Sequence, residues 1–393
     1  MQPKKPAAAG GNPLEISASF TPVPDLFFYG TLRHQPLLEL VIGRPLTQLT
    51  IAQAHLPDHA VYAVAGQVFP MIVSEKGSMA KGLLVQGFNQ EDLNRLSYYE
   101  GGFVYDPSSQ NVQLADGTTF KASVFFPEPG LWTPDGPWSQ QDWVDRWAEV
   151  TLLAAQEELA YYGRVDATTI SRYFSPIRTR AWARLAARKR RTGDPRDTDK
   201  DVIVQGYKRA HLNYFGMDEL EVRHRRYDGT MGPVLHRSGL MQGAAVIVLP
   251  YDPVRDTVLL VEQFRAPVFL IDDPEPWMWE PVAGMIDPGE TPEQAAHREA
   301  MEEAQVTLNA LEYAGGAYSS SGSSTEYLYL FVGLGDLTRT IDNGGVASEG
   351  EDIRTQILPY DTFMQKVGNN EFKDLPLLSL AHWLARHRDR LRN

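Results

Sequence analysis

Apolar positions along the chain fall into three regimes. From Asp25 they come in short runs broken by Gly and Pro, as in "DLFFYGTL", "AKGLLVQGF" and "FKASVFFPEPG". Runs of that length between turn residues predict a small, strand-rich α+β unit. The period then changes: in "QQDWVDRWAEVTLLAAQEELAYYG", Trp143, Trp147, Val150 and Leu153 recur at helical spacing and Gly163 offers a C-terminal stop. This helix and its neighbour are expected to close the first unit. Farther on, "AAVIVLPYDPVRDTVLLVEQF" reads as two apolar strands joined by an Asp-Pro turn, and Ala295 to Glu303 as a helix behind a Pro-Gly loop.

The breaks between regimes suggest the domain plan. Residues 1–22, rich in Pro, Ala and Gly, read as a flexible tail. Arg178 to Arg196 carries eight basic residues against one acidic and then breaks at Gly-Asp-Pro. A charge run of this kind is expected to be the solvated face of a connecting helix rather than an anion-binding patch. The resulting division is a first domain at 23–177, a basic linker at 178–200 and a second domain at 201–393, in keeping with a 393-residue chain that exceeds the usual size of one domain.

Charge and composition narrow the chemistry. A formal net charge of -13 argues against a general nucleic-acid or anionic-membrane binder, so an anionic ligand requires bridging cations or local arginines. With no cysteine in the chain, disulfides, thiolate zinc sites and thiol nucleophiles are excluded, and any metal must rest on oxygen or histidine. The N-terminus lacks the apolar core of a signal peptide, and no apolar run approaches the ~20 residues of a membrane span. The expected setting is the cytoplasm, with neither a membrane nor a nucleic acid as partner.

The acidic stretch "GMIDPGETPEQAAHREAMEEAQV", Gly284 to Val306, is the strongest chemical signal. On a helix starting near Thr291, Glu299 and Glu303 lie one turn, about 6 Å, apart on one face, with Glu302 alongside. Like charges so placed destabilise a bare helix. Hard oxygen ligands converging on a divalent cation such as Mg²⁺ turn that repulsion into coordination. Gly284, Glu290, Arg298, Glu299, Glu302 and Glu303 also fit the spacing G-x5-E-x7-R-E-U-x-E-E-x-G-U, which resembles the box of the Nudix hydrolases; Gln305 stands where that pattern ends in Gly.

The resemblance runs through residues ~204 to 393 and is nearest to bacterial ADP-ribose pyrophosphatases, through "RHRRYDGTMG", "VEQFR", "WEPVAGMIDPGE", "YSSSGSSTE" and "SEGEDIR". It implies a Nudix α/β/α sandwich and Mg²⁺ as cofactor, with Mn²⁺ as the alternative. The implied ligands are the Ala283 carbonyl oxygen, Glu299, Glu303 and Glu351, with Glu349 as general base and Arg265 on phosphate oxygens. Glu302 and Arg298 would orient the ligands. Tyr214 or Phe215, with Arg237, would form an adenine platform. Ser321 occupies the place where members cleaving ADP-ribose usually carry Pro, which points toward other nucleoside diphosphate sugars as well. Relatives of this type are homodimers whose strands, here about 204–240, reach the partner's site, so a homodimer is expected.

In the first domain, "FFYGTLR" is a strand entering a glycine turn whose backbone N–H groups can hold a carboxylate, and "EDLNRLSYYEGGFVY" places Glu100 at the end of an apolar-spaced helix. Together they resemble the γ-glutamylcyclotransferase-like family, a small β-barrel with helices. There, Tyr29, Gly30, Thr31 and Leu32 would bind the substrate's α-carboxylate and Glu100 would shuttle the proton as 5-oxoproline is released. Ser97 and Pro107 depart from that family's usual Asp and Arg. The leading expectation is therefore a Mg²⁺-dependent hydrolase of ADP-ribose or a related nucleoside diphosphate sugar. The alternatives are a nucleotide sensor without turnover and a cyclotransferase. Fusions of this kind resemble bacterial tellurite-resistance proteins.

Overall fold

The computed structural model describes residues 23–100, 106–190, 196–342, 344–346 and 350–393. By compactness the chain divides into two units, residues 1–95 with 103–140, and residues 96–102 with 141–393.

In the first unit, β1 (Leu26–Phe28) runs into a 3-10 turn at Thr31–Arg33 and α1 (Gln35–Ile42). A long antiparallel pair follows, β2 (Thr50–Val64) and β3 (Pro70–Gln86), then α2 (Gln90–Tyr99), β4 (Asp106–Leu114), β5 (Thr119–Phe126) and β6 (Pro134–Pro137). The strands are ordered β3-β1-β5-β4-β2, and pairing of β2 with β3 closes them into a five-stranded barrel onto which β6 adds at β2. Closure pairs each of the five barrel strands on both sides, leaving only the added β6 as an edge among the described residues. Alternate residues point inward, so Phe27, Leu56, Ile72, Leu84, Val112 and Val124 fill the barrel.

The second unit begins with α3 (Gln140–Leu159), α4 (Ala167–Ser171) and α5 (Phe174–Arg188), followed by α6 (Thr198–Asp201) and a three-stranded antiparallel sheet of β7 (Val202–His211), β8 (Gly216–His224) and β9 (Leu235–Met241). By compactness the helices count with this unit, whereas the sequence reading closes the first domain with them. Val150, Leu153 and Ala154 of α3 pack on Ile177, Ala181 and Leu185 of α5. Between the two helices, the Arg180 guanidinium meets Glu157 at 2.6 Å. Arg209 of β7 lies 3.5 Å from Glu157 and 3.0 Å from Asp218 of β8. These four side chains are all buried, and a buried charge left without its partner costs about 3 to 5 kcal/mol, so the ladder ties α3 and α5 to the sheet.

The reading of Arg178–Arg196 as a solvated face holds for Arg184, Arg188, Lys189 and Arg196, which are exposed, and is corrected for three residues that packing takes up. Arg180 is buried, Arg178 stacks over Trp147 and Phe174 at 5.8 and 5.5 Å, and Arg190 lies 3.5 Å over the Tyr327 ring. The partners are far off in sequence, so the run looks uncompensated when read locally.

The remaining elements form a mixed sheet between helices. They are β10 (Ala244–Asp252), β11 (Thr257–Phe264), α7 (Ala266–Leu270), β12 (Trp277–Glu280), β13 (Val282–Met285), α8 (Pro292–Ala304), β14 (Leu308–Tyr318), β15 (Tyr327–Gly335), β16 (Arg354–Pro359), α9 (Tyr360–Gly368) and α10 (Leu375–Arg392). The main strand order is β12-β11-β10-β15-β14, with β13 paired to β10 and β16 to β11. Strands β10 and β11 are the apolar pair expected from the sequence, buried on both faces. Ala245, Ile247, Leu249, Val258 and Leu260 face α9 and α10, while Val246, Val248, Leu259 and Val261 face α8.

Candidate active site

The capping residues of α8 are written in "TPEQ". The Thr291 hydroxyl accepts from the Gln294 amide at 3.2 Å, the Gln294 side chain accepts from the Thr291 amide at 2.8 Å, and Pro292 takes the first turn. The buried face of α8 carries Glu299 and Glu303 among the alanines Ala295, Ala296, Ala300 and Ala304. Such small side chains let the helix lie close over β10 and β13, bringing Glu299 and Glu303 down onto β13.

There the carboxylates crowd together. Glu303 is 1% exposed and accepts from the Ala283 amide at 3.1 Å. Burial pushes its carboxyl up to about 8, with Glu299 and Glu351 adding repulsion. Burial likewise pushes Glu299 up to about 7 against the pull of Arg298, with Glu302 and Glu351 reinforcing the rise. Gly284 is what permits this approach, because a Cβ there would overlap the Glu299 carboxylate. Glu351 accepts from the Val346 amide at 2.8 Å, and the Gly345 amide donates to the Glu302 carbonyl at 3.0 Å, which seats Gly345 against the end of α8. Glu349 lies outside the described residues.

Arg298 organises the cluster. Its guanidinium meets Glu290 through two nitrogens at 2.9 Å each, Glu299 at 2.6 Å, Glu302 at 3.0 Å and the Met285 carbonyl at 2.9 Å. These carboxylates raise its pKa above the ordinary arginine value, and hydrogen bonding to the guanidinium in turn lowers that of Glu290. Arg265 is gripped by Glu280, Nε at 3.0 and 2.9 Å and Nη2 at 2.5 Å, and its charge acts on Glu303 and Asp374. The sequence reading passed over Glu280 and Asp374. Glu280 has a signal, being an acidic residue beside Trp279 in a strand with few charges, but nothing local ties it to Arg265.

Among the described residues, no three His, Asp or Glu side chains stand in metal-binding geometry. Glu299 is turned to Arg298, Glu303 to the Ala283 amide and Glu351 to the Val346 amide. The donor chemistry still fits a hard divalent cation: three carboxylates press on one another, two of them buried and raised in pKa. Tyr214 and Phe215, in edge contact at 5.0 Å, follow β7, and Arg237 lies on β9. They belong to the three-stranded sheet and its β7–β8 turn, not to α8 or the segment before β16 that carry the carboxylates. Ser321 is exposed in the β14–β15 turn, which is pinned to β9 by the Leu240 amide on the Ser323 carbonyl at 2.8 Å.

Gln305 closes α8 in the left-handed region at φ 52° and ψ 36°. This is the geometry for which the family pattern has Gly, held here by a residue that pays about 1 kcal/mol for it. Gln305→Gly is expected to raise the urea midpoint by up to about 1 kcal/mol of stability while leaving catalysis alone, an outcome read from paired denaturation curves.

In the first unit, Tyr29 and Leu32 are buried, and the Arg33 amide donates to the Gly30 carbonyl at 3.1 Å. Arg33 Nε is buried without a hydrogen-bond partner, and burial lowers the guanidinium pKa. It is a cation beside the Tyr29–Leu32 turn that the sequence reading quoted without assigning. Glu100 falls in the second unit, where burial pushes its carboxyl up to about 7. Glu158 of α3, buried as well, rises to about 8 through desolvation and then through Glu100. A carboxyl raised on folding adds stability below its unfolded value, near 4.3, and loses it as pH climbs through the folded value. Native protein should therefore weaken between roughly pH 4.5 and 8. Glu158→Gln should flatten that fall, unfolding later than native in urea at pH 8 but not at pH 4.5.

Comparison with known proteins assigns both parts of the chain to families. Residues 241–378 match the NUDIX domain, and residues 26–145 match the gamma-glutamyl cyclotransferase, AIG2-like family. The chain is 33% identical over 193 residues to the ADP-ribose pyrophosphatase of Escherichia coli (strain K12), covering 49% of this chain and 92% of that protein. It is 33% identical over 165 residues to the ADP-ribose pyrophosphatase of Haemophilus influenzae, covering 41% and 75%. Against the GDP-mannose pyrophosphatase of Cronobacter sakazakii it is 30% identical over 174 residues, covering 44% and 88%. With the box carboxylates gathered around Ala283 and Gly284, and identity of 33% sustained over 92% of a relative's length, the chain belongs to the Nudix family of hydrolases.

Proposed function

We propose that the chain hydrolyses the diphosphate bond of a nucleoside diphosphate sugar, with ADP-ribose as the leading substrate and AMP and ribose 5-phosphate as its products. One observation carries this reading: Glu299, Glu303 and Glu351 act on one another at the Ala283–Gly284 strand, in a region shared with ADP-ribose and GDP-mannose pyrophosphatases. The Ala283 carbonyl and these three carboxylates would hold a divalent cation, Mg²⁺ or Mn²⁺. When bound, that cation neutralises diphosphate oxygens and lowers the pKa of water.

The chain's own groups do the rest. Arg298 keeps Glu299 and Glu302 oriented, and Arg265, fixed by Glu280, presents its remaining Nη1 to phosphate. Glu349 is the proposed base: water oxygen attacks one phosphorus, its proton passes to the carboxylate, and the bridging P–O bond breaks with its electron pair on the departing phosphate. Tyr214, Phe215 and Arg237 would receive the base by stacking, within a homodimer working in the cytoplasm. We retain 23–177, 178–200 and 201–393 as the division along the sequence into cyclotransferase-like part, basic segment and Nudix part, with α3 and α5 packed on one another across the first boundary.

A second activity, release of 5-oxoproline from γ-glutamyl compounds, is favoured by the match of residues 26–145 to the gamma-glutamyl cyclotransferase, AIG2-like family and by Arg33 beside the Tyr29–Leu32 turn. Phosphate-monoester release from ADP-ribose, GDP-mannose and ADP-glucose, with Mg²⁺ and with chelator, tests the first reading; absence of cleavage from all three overturns it. An assay for 5-oxoproline on γ-glutamyl amines tests the second.

A further inference from the structure

Three residues of the helical segment reach the Nudix box although they lie outside both matched ranges. The box loop turns at Gly289, whose φ of +100° suits glycine, and a Cβ there would stand 2.7 Å from Trp147 Cη2. The ring of Trp147 thus lies against the backbone of the turn. It is itself held from behind, with the Trp182 ring 6.3 Å away and the Arg178 guanidinium 5.8 Å from its centroid. Trp182 packs on the core beneath α8, and Trp147 on the core between α3 and α5. Thr179 also crowds Gly243, at the start of β10, together with Met285 at the end of β13.

The turn so braced is the one that orders the carboxylates. The Glu290 amide donates to the Asp287 carbonyl at 3.0 Å, and the Asp287 amide returns to the Glu290 carboxylate at 3.1 Å. Glu290 grips Arg298 through two nitrogens at 2.9 Å, and Arg298 holds Glu299 and Glu302. From the ring to the carboxylates every step is a direct contact between neighbouring groups.

We propose that Trp147 is a positioning residue for the diphosphate-hydrolysing site: its ring braces the Gly289 turn and thereby sets Glu290, Arg298 and the carboxylates of Glu299 and Glu302. The proposal rests on the reading of those carboxylates as hydrolytic. A rigid ring with only two side-chain torsions suits such a brace, and misplacing reacting groups by about 1 Å is enough to cost up to about a hundredfold in rate. The helices at 141–188 then act as part of the hydrolase rather than as a spacer.

The test compares full-length native protein with Trp147→Ala, Trp147→Phe and Leu153→Ala, the last altering the same helix core without reaching Gly289. Trp147→Ala should lower kcat for ADP-ribose at least about tenfold with KM within about twofold, and Trp147→Phe should recover most of the loss. Leu153→Ala should lower the unfolding temperature yet keep kcat. Amide hydrogen exchange of the 285–291 segment should quicken in Trp147→Ala and not in Leu153→Ala. If the alanine variant does not fold, Trp147→Leu, which keeps apolar volume but not the reach of the ring, carries the same expectations. A folded Trp147→Ala with native kcat and native exchange overturns the brace. If native protein cleaves no nucleoside diphosphate sugar, the functional reading fails, while the exchange comparison still decides the brace.

Discussion

Glu303→Gln is expected to lower kcat for diphosphate cleavage by roughly a thousandfold, because a cation site that stabilises the transition state by several kcal/mol loses a charged ligand, and each 1.36 kcal/mol is tenfold. The same change should make the cation-free protein harder to unfold. Burial pushes the Glu303 carboxyl up to about 8, so near that pH the native fold holds a charge it would rather shed, whereas glutamine keeps the shape without the charge. Divalent cation should reverse the order: saturating Mg²⁺ at ~100 times its dissociation constant adds about 2.7 kcal/mol to native protein and little to the variant. Thermal unfolding with Mg²⁺ and with chelator, beside the kinetic assay, reads both effects. A variant that turns over at the native rate would remove Glu303 from the site. Activity lost at native rigidity, with greater stability, is the behaviour expected of a carboxylate kept for function at the expense of stability.

Gly284→Ala tests the approach of α8 to β13 itself. The added methyl would overlap the Glu299 carboxylate. Either Glu299 swings off, or β13 shifts from its register with β10, where Gly284 faces Val246. Both outcomes cost activity, by at least about a hundredfold, and the crowding costs about 1 to 3 kcal/mol of stability. The effect should be relieved by shortening the neighbour: Gly284→Ala with Glu299→Asp should be more stable than the sum of the separate changes allows, since the two side chains compete for one space. Additive losses in a double-mutant cycle would show that the two positions do not meet.

Much of the site was legible because its signals are local. "TPEQ" starts α8, the i, i+4 spacing puts Glu299 and Glu303 on one face, and alanines at 295, 296, 300 and 304 line that same buried face on either side of them. The two apolar runs of "AAVIVLPYDPVRDTVLLVEQF" foretold β10 and β11. Even Gln305 was legible as a departure: the backbone adopts the left-handed turn its glycine would have taken, because the Val306 amide must still reach the Ala300 carbonyl, at 3.0 Å.

What remained hidden depends on partners that no spacing rule connects. Arg178 and Arg180 read as solvent-facing because their compensation, Trp147 and Glu157, lies 31 and 23 residues away along the chain on another helix. Glu280 shows no link to Arg265 until β11 and β12 pair. Trp147 has the periodicity of an ordinary core residue, and its contact with Gly289 exists only once α3 lies beside the box. The helix bearing the carboxylates and the strands beneath it could be read from the chain because capping, apolar runs and i, i+4 spacing act within a few residues. Which arginines are buried, which carboxyls are driven up in pKa and which ring meets the box turn could not, because desolvation and long-range packing depend on what the folded chain brings alongside.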